Sequence, residues 1–471
     1  MFLNASVWAF VLPPFQVIDE PVHFEYAQYL AETGRVPRVG GEIPRGSIAH
    51  FSAESRAVLE YLPFSVEGRP SWSERQDQEL RRQLERNRAQ RESGAGGAAR
   101  YSPLYYGLPA IAGKATPGTN TVDALYAMRL VSALLGAVTV ALVFLFLREV
   151  LPGAPWAWTV GALAVAFQPV FNFMSGGVNN DNLLYTASAG LLFLLARAFR
   201  RGLTLRRGVS MGAIVTVGFL AKPTMLGLLP GTALGIALLV WRAPRERRRA
   251  AVGSAAAALG VLAAATLVWM IVDATVFHRS LPETTGVLST ASVKEATSLR
   301  GQLSYLWQFF LPKLPFMHDA FPGYPEYPIW DIYIQGFIGR FGWFQYGFPL
   351  WVNQLALGAL AVVCIMAAVA LARARSSLRR RWAELGCYGA LLVGVVIFVG
   401  VAGYRFSTSV GLGFEQPRYL FPLLALYGTL VAVAALAGGR VWGPAIGAFL
   451  VVLAMLHSLF AVLLTIQRYY A

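Results

Sequence analysis

Residues 16–37, QVIDEPVHFEYAQYLAETGRVP, follow a short apolar N-terminal segment and set two adjacent carboxylates, Asp19 and Glu20, where the chain leaves it. Pro21 has its ring-fixed φ suited to the first turn of a helix, and Gly34 suits a left-handed stop. The spacing therefore predicts a short helix over residues 23–33. Asp19, Glu20 and His23 then cluster at its N-terminus. The partial positive charge of a helix start keeps carboxylates ionised, which suits a general base that takes a proton from a hydroxyl. Simple capping by Glu20 explains the same placement, because acids before Pro are common helix starts.

Composition sets the class. Of 471 residues 56% are hydrophobic and 14% charged, and the mean hydropathy is +0.51. No ordinary soluble domain approaches that balance, so the chain reads as an all-α polytopic membrane protein forming a single domain over residues 1–471. Apolar runs long enough to span fall at about 123–147, 156–174, 182–199, 250–277, 348–372, 383–403, 419–437 and 441–466. The stretch 208–241 lies between Arg206-Arg207 and the cluster RERRR at 245–249, so both flanks belong on one side and the segment crosses twice, with Lys222-Pro223 near its turn. Residues 1–15 bring the total to about eleven spans.

The net charge of +15 would suggest nucleic acid in a soluble chain, but its distribution points elsewhere. The loops starting near 148, 200, 242, 373 and 438, with Arg197 at the end of its span, hold 17 Arg against Glu149, Glu246 and Glu384, a net +14. The rest of the chain carries 23 basic and 22 acidic residues, a net +1. This is the positive-inside pattern, so the basicity reads as orientation toward an anionic inner leaflet, with no nucleic-acid partner. The N-terminus is then inside, the C-terminus outside, and Asp19 on the outer face. Residues 1–15 span only about 22 Å of a hydrocarbon core near 30 Å, which leaves room for a natural start upstream of Met1. They also lack a signal peptide's basic start and small-residue cleavage site. Cys364 and Cys387 both fall in or beside spans and form no disulfide framework. The preference for Arg in 36 of 40 basic positions, with abundant Ala, is that of a GC-rich bacterial genome.

Two large external loops follow from this topology. The first, 16–122, carries juxtamembrane helices. One is the charged stretch 71–93, SWSERQDQELRRQLERNRAQRES, with a Ser71-x-x-Glu74 capping box and a polar surface all round, the mark of a solvated cover. Its end, RYSPLYYGLPA, brings Tyr101, Pro103, Tyr105 and Tyr106 to a membrane surface, where aromatic belts occur but rings also stack on sugars. The turn FMSGGVNNDNLL sets Asn179, Asn180 and Asp181 at the membrane mouth, although an N-cap alone accounts for Asp181. Lys222, one of four lysines, sits in an apolar hairpin where an ionisable side chain should face a cavity or a partner. The second large loop, 278–347, ends in an aromatic-rich lid with Asp319, Glu326, Asp331 and Arg340. The last external loop brings Arg405, Glu415 and Arg418 to the start of a span, with Tyr419 beside Arg418.

No Walker loop, no GxGxxG after a strand and no HExxH occurs in the chain. Glu20-x-x-His23 is half of a metal set without a partner set, so no cofactor is expected and a divalent metal is the open alternative. Charged residues gather at the ends of spans rather than at their middles, which favours chemistry at the surface over permeation.

The motifs DEPVHFEYAQYLAETGRVP after the first span, VNNDNLL, IGRFGW and QPRYLFP, in this order over nearly the whole chain, resemble the GT-C superfamily of integral-membrane glycosyltransferases. That superfamily includes the protein O-mannosyltransferases and the lipid A aminoarabinose transferases. The resemblance is closer still to a bacterial membrane-protein family related to them. It implies a GT-C-like fold in the bacterial cytoplasmic membrane and an inverting transfer from a polyprenyl-phosphate sugar to a cell-envelope glycan, lipid or protein on the outer face. It makes Asp19 the base that deprotonates the acceptor, with Glu20 beside it. Where relatives often have Gly-Arg-Tyr this chain has Pro417-Arg418-Tyr419, which keeps the arginine and alters the turn. A departing lipid phosphate needs cations near the membrane surface, and Lys222, Arg418 and Arg340 are the candidates. His23, Tyr105, Tyr106, Asn180, Asp181 and Tyr419 are the candidate substrate contacts. The alternatives are a flippase or permease for a lipid-linked glycan, using the same cations without chemistry, and a non-catalytic assembly partner docking through residues 71–93.

Overall fold

In lipid, backbone N–H and C=O groups have to be satisfied within their own segment, which leaves the helix as the form open to each apolar run of this chain. The computed structural model describes residues 1–38, 51–63, 69–87, 96–116, 120–278, 298–321, 328–410 and 415–471. These are helical apart from connections and one two-residue ladder, in which Arg340 pairs with Gly347 and Phe341 with Tyr346. Glu326 and residues 88–93, the end of the expected charged helix, lie outside the described residues.

Among the described residues eight helices are long and apolar enough to cross a membrane, or nine if Pro155–Ala166 and Pro169–Ser175, bent by 63°, form one span. The expected eleven segments are all helical, but two are short: α1 (Phe2–Val11) has 10 residues and α10 (Leu205–Ala221) has 17. Pro169 explains the bend, since it cannot continue the preceding helix, and the Gln168 side chain there donates to Phe337 O at 2.6 Å.

The axis of the bundle is α9 (Asp181–Arg201), 72% of whose apolar window is buried, against 6% for α12 (Arg245–Thr275) at the rim. Along α9 runs α6 (Thr121–Val150), where the Thr139 and Thr186 hydroxyls meet at 2.9 Å. On its other flank α10 packs on α12 through Gly208-x-x-x-Gly212, set against the Ser254 and Ala258 carbonyls so closely that a Cβ would collide. Small residues at this spacing let two backbones approach in a medium that offers no hydrophobic drive between helices. The 208–241 stretch does turn back. Lys222 is extended (φ −159°, ψ 135°), Pro223 follows, and the far ends of the hairpin, Leu205 and Arg242, line one cavity with Arg380 and Arg381.

The first loop builds a second core. Here α2 (Glu20–Thr33) starts three residues before the expected helix, and Gly34 stops it with φ 68°. Its Phe24 and Tyr26 pack with Tyr105 and Tyr106 of α5 (Pro103–Lys114), and with Phe51, Val58 and Leu59 at α3 (Ala53–Tyr61). The charged helix α4 (Glu74–Asn87) departs from the sequence reading twice. Its start is held by the Ser73 hydroxyl, which accepts the Gln76 N–H at 3.3 Å, and not by a Ser71–Glu74 box. It is also one-sided, since Leu84 is buried and Leu80 half-buried against the α3 core.

One buried pair ties these layers together. Glu20 is fully buried and is no cap: Arg129 of α6 grips it from both nitrogens, Nε to Oε1 at 2.8 Å and Nη2 to Oε2 at 2.6 Å. Arg129 also donates to the carbonyls of Ala9, Leu12 and Pro13 at 2.8, 2.6 and 2.9 Å, filling the carbonyl ends that α1 leaves open. Glu20 in turn accepts the N–H of Phe15 and of Val178, each at 3.1 Å. The clamp thus fixes α1, the turn before α2, α6 and the turn before α9 at one point.

Breaking a buried ion pair from one side costs about 3–5 kcal/mol, because the other charge stays buried alone. Glu20→Gln and Arg129→Leu should each lower unfolding stability by that amount. The double variant should lose less than the sum, as read from thermal melts in detergent. Melting within a degree of wild type for Glu20→Gln would remove the clamp from this account.

Candidate functional site

One residue before the clamp, Asp19 sits in the left-handed region with φ 62°, a conformation that Asp tolerates but that the surroundings must hold. The turn keeps 40% of its side chain exposed, whereas the partner, Arg418, is 2% exposed. The Arg418 guanidinium donates through Nη2 to Asp19 Oδ2, and its Nη1 reaches Ile18 O at 3.4 Å and Asp181 Oδ2 at 3.6 Å. Lys222 Nζ donates to Asp181 Oδ1 at 2.6 Å. The result is a row of alternating charge, Asp19, Arg418, Asp181 and Lys222, drawn from four segments, with Asp19 and Arg418 399 positions apart in sequence.

Local structure explains why each one arrives. Pro223 ends α10 and leaves Lys222 at the break. Pro417 opens a 3₁₀ turn, Pro417–Leu423, that carries Arg418 inward, and Tyr185 of α9 donates to the Arg418 carbonyl at 3.3 Å. Asp181 is the first residue of α9, but it does not cap it; one of its carboxylate oxygens is taken by Lys222. The turn before α9 is pinned instead by its asparagines. Asn179 accepts the Asp181 N–H at 2.9 Å and donates to Ile18 O at 3.2 Å, and Asn180 donates to Ala221 O at 2.8 Å. Arg418 Nε and Asn180 Oδ1 are buried without a hydrogen-bond partner, polar capacity that the fold itself does not use.

Aromatic rings wall the row. Tyr419 lies under both cations, 5.2 Å from Lys222 Nζ and 5.4 Å from the Arg418 guanidinium carbon, within cation–π range. His23 stacks on Tyr101 and Tyr106, with centroids at 6.2 and 5.8 Å, and its Nδ1 is 2.7 Å from the Tyr106 hydroxyl. Burial, reinforced by Lys222 and Arg418, pushes His23 down to about 3 against the pull of Asp19 and Asp181, so the ring is neutral at ordinary pH. For Asp19, burial acts to raise the carboxyl, and Arg418 with Lys222 behind it outweighs that and holds it below its usual value. The carboxylate is therefore ionised.

The structure brings together Asp19, His23, Asn180, Asp181, Lys222, Arg418 and Tyr419 and sorts the remaining candidates away. Glu20 is locked in the clamp. Tyr105 is fully buried, its hydroxyl accepting the Asn179 N–H at 2.8 Å and paired with Ser132 at 2.8 Å; it supports the site from behind. Tyr106 is likewise buried, stacked on Tyr26 at 3.7 Å, and holds His23. Arg340 lines a separate polar cavity with Gln335, Gln345 and Asn353, and makes no ion pair with the row among the described residues. No three His, Cys, Asp or Glu side chains among the described residues are grouped as a metal site. Two supports escaped the sequence reading: Arg129, whose one signal was an arginine inside an apolar run, and Asn179 in its role as a turn lock.

The chain belongs to the family described as Predicted membrane protein (DUF2142), whose profile matches residues 2–427. No curated protein matches it in sequence. Among solved structures it is similar to ArnT from Cupriavidus metallidurans in the apo state, with 15% identity and a TM-score of 0.49, over 91% of this chain and 57% of that one. It is also similar to the Archaeoglobus fulgidus oligosaccharyltransferase in the apo form, with 13% identity and a TM-score of 0.38, over 99% and 55%. The chain thus spans little more than half the length of either, and no residue role passes from them to it.

The neutral His23 has a consequence for stability. Unfolded, the ring takes a proton near 6.5; folded, only near 3. Its contribution is complete above about pH 6.5 and drains away as the pH falls toward 3. His23→Gln should therefore flatten the fall in melting temperature between about pH 6.5 and 4. Parallel profiles for the two proteins would mean that His23 titrates normally in the fold.

Proposed function

We propose that this protein is a membrane glycosyltransferase of the GT-C type that moves a sugar from a polyprenyl-phosphate donor to a hydroxyl of a cell-envelope acceptor. The observation that carries the reading is the row itself: a half-exposed, ionised Asp19 held against a buried arginine, with Lys222 one carboxylate further on. The sequence resemblance of DEPVHFEY, VNNDNLL and QPRYLFP to that superfamily supports the same assignment for Asp19.

In the reaction, the acceptor oxygen attacks the anomeric carbon while the bond from that carbon to the donor phosphate breaks. The acceptor proton passes to Asp19, and the leaving polyprenyl phosphate gains the negative charge. Arg418 and Lys222 lie where that charge develops, in a setting shielded enough for charge-assisted hydrogen bonds to count. Without donor the row is neutral, two carboxylates against two cations. A phosphate arriving at Arg418 competes with Asp19 for the guanidinium, so donor binding frees the base at the moment it is needed. Attack from the face opposite the phosphate inverts the anomeric centre. The site faces outward, on the side away from the arginine-rich loops.

A positioned base contributes about 10²- to 10⁴-fold, so Asp19→Asn should lose turnover by that factor while still folding and still binding polyprenyl phosphate. A hydrogen bond to a charged group is worth roughly 1.5–3 kcal/mol, so Lys222→Ala and Arg418→Lys should each weaken use of the donor by about ten- to a hundredfold. Arg82→Ala, on exposed α4, should change nothing. Turnover by Asp19→Asn within a few-fold of wild type would reject it as the base, and intact binding with no transfer by any form would favour a transporter.

A further inference from the structure

The end of the bundle opposite Asp19 holds a cavity of about 910 Å³ between the C-terminal end of α9, the ends of the 208–241 hairpin, the start of α12 and the helix Trp382–Val410. Five arginines line it: Arg201, Arg242, Arg247, Arg380 and Arg381. The one acid in the lining, Glu384, is already consumed. Arg381 holds both of its oxygens at 2.8 Å, and Tyr388 donates to Oε1 at 2.9 Å. Arg201 is engaged by Glu149 at 3.3 Å. That leaves Arg242, Arg247 and Arg380 with no anionic partner among the described residues, converging on one concave surface. Three cations in one hollow repel one another, and an anion seated among them removes that cost.

The rest of the wall says which anion. Ala198, Phe199, Leu203, Leu205 and Leu239 give the cavity an apolar side, and Leu205 stays 62% exposed. Beside it Trp241 and Trp382 form an edge-to-face pair with centroids at 6.1 Å, both rings more than half exposed, next in sequence to Arg242 and Arg381. Exposed indoles beside arginines at span ends mark the headgroup level of a bilayer, where an amphipathic ring is stable. A soluble anion would have no use for the apolar side. A molecule with a phosphate at one end and hydrocarbon at the other fits both.

We propose that this cavity is a binding site for the headgroup of an anionic phospholipid from the leaflet at the arginine-rich face, distinct from the Asp19 site and independent of the reaction assigned to it. The phosphate lies among Arg242, Arg247 and Arg380, and an acyl chain runs along Leu205 and Leu239. The lipid thereby joins the hairpin, α12 and the 382–410 helix at a point where three arginines lack an anionic partner among the described residues.

The test is native mass spectrometry of the full chain released from detergent with added phosphatidylglycerol or phosphatidylcholine. Wild type should retain one phosphatidylglycerol, with at least tenfold preference over phosphatidylcholine. Arg242→Gln, Arg247→Gln and Arg380→Gln should each weaken retention by about fivefold, the scale of one arginine near an anionic surface, and the triple variant should lose the preference. Arg75→Gln/Arg82→Gln on α4 should behave as wild type. If the triple variant does not fold, judged by its melt in phosphatidylcholine, the single variants decide. Equal retention of the two lipids, or variants that keep the preference, would overturn the proposal. Displacement of the lipid by millimolar inorganic phosphate would overturn the lipid assignment in favour of a free-anion site.

Discussion

The arrangement depends on a single buried contact, the bidentate pair of Glu20 with Arg129. An arginine inside an apolar helix has to be neutralised, and this one spends its remaining donors on three carbonyls at the C-terminal end of α1. Glu20 spends its remaining acceptor capacity on the N–H groups of Phe15 and Val178. Neither charge has any capacity left for chemistry, and every other part of the site is placed relative to them. Asp19 is the residue before the clamp and Asn179 the residue after its far contact, so Asp19 and the turn that carries Asp181 share one anchor.

Two neighbouring carboxylates thereby take opposite fates. Glu20 is fully buried and bound by a cation that is buried with it. Asp19 is left half in solvent by its left-handed backbone, paired to an arginine whose second carboxylate, Asp181, sits 3.6 Å away on the other side. Lys222 shares Asp181 with Arg418. The tyrosines and His23 do their part as uncharged walls: Tyr106 orients a ring that burial keeps neutral at ordinary pH.

Much of this was legible in residue order alone. The spans were, because burying backbone in lipid demands long apolar runs; α2 and its Gly34 stop were, because Pro and Gly have few other uses at those places. Lys222 stood out as a lysine in an apolar hairpin, and Asp19 by its resemblance to a known motif. What could not be read was the partnering. Nothing in the order of residues says that Arg129 reaches back 109 positions to take Glu20 and not Asp19. Tyr105 and Tyr106 look the same in sequence whether they form a membrane belt or a core, and only packing against Tyr26 and Ser132 decides it. Arg340 shared the external loop and the charge of a phosphate ligand, but its short ladder turns it to another cavity. The covered face of α4 was hidden by its composition, since two leucines among fourteen mostly charged residues are enough to seat a helix on a neighbour.

The central claim is that the row headed by Asp19 acts on a lipid-linked phosphate. Purified protein in nanodiscs, with heat-treated membrane extract supplying acceptors, is offered the same radiolabelled sugar on polyprenyl phosphate or on a nucleotide. The account predicts that label passes to acceptor from the lipid donor alone, with the anomeric configuration of the product opposite to that of the donor. Transfer from the nucleotide donor alone, or a product with retained configuration, would contradict it.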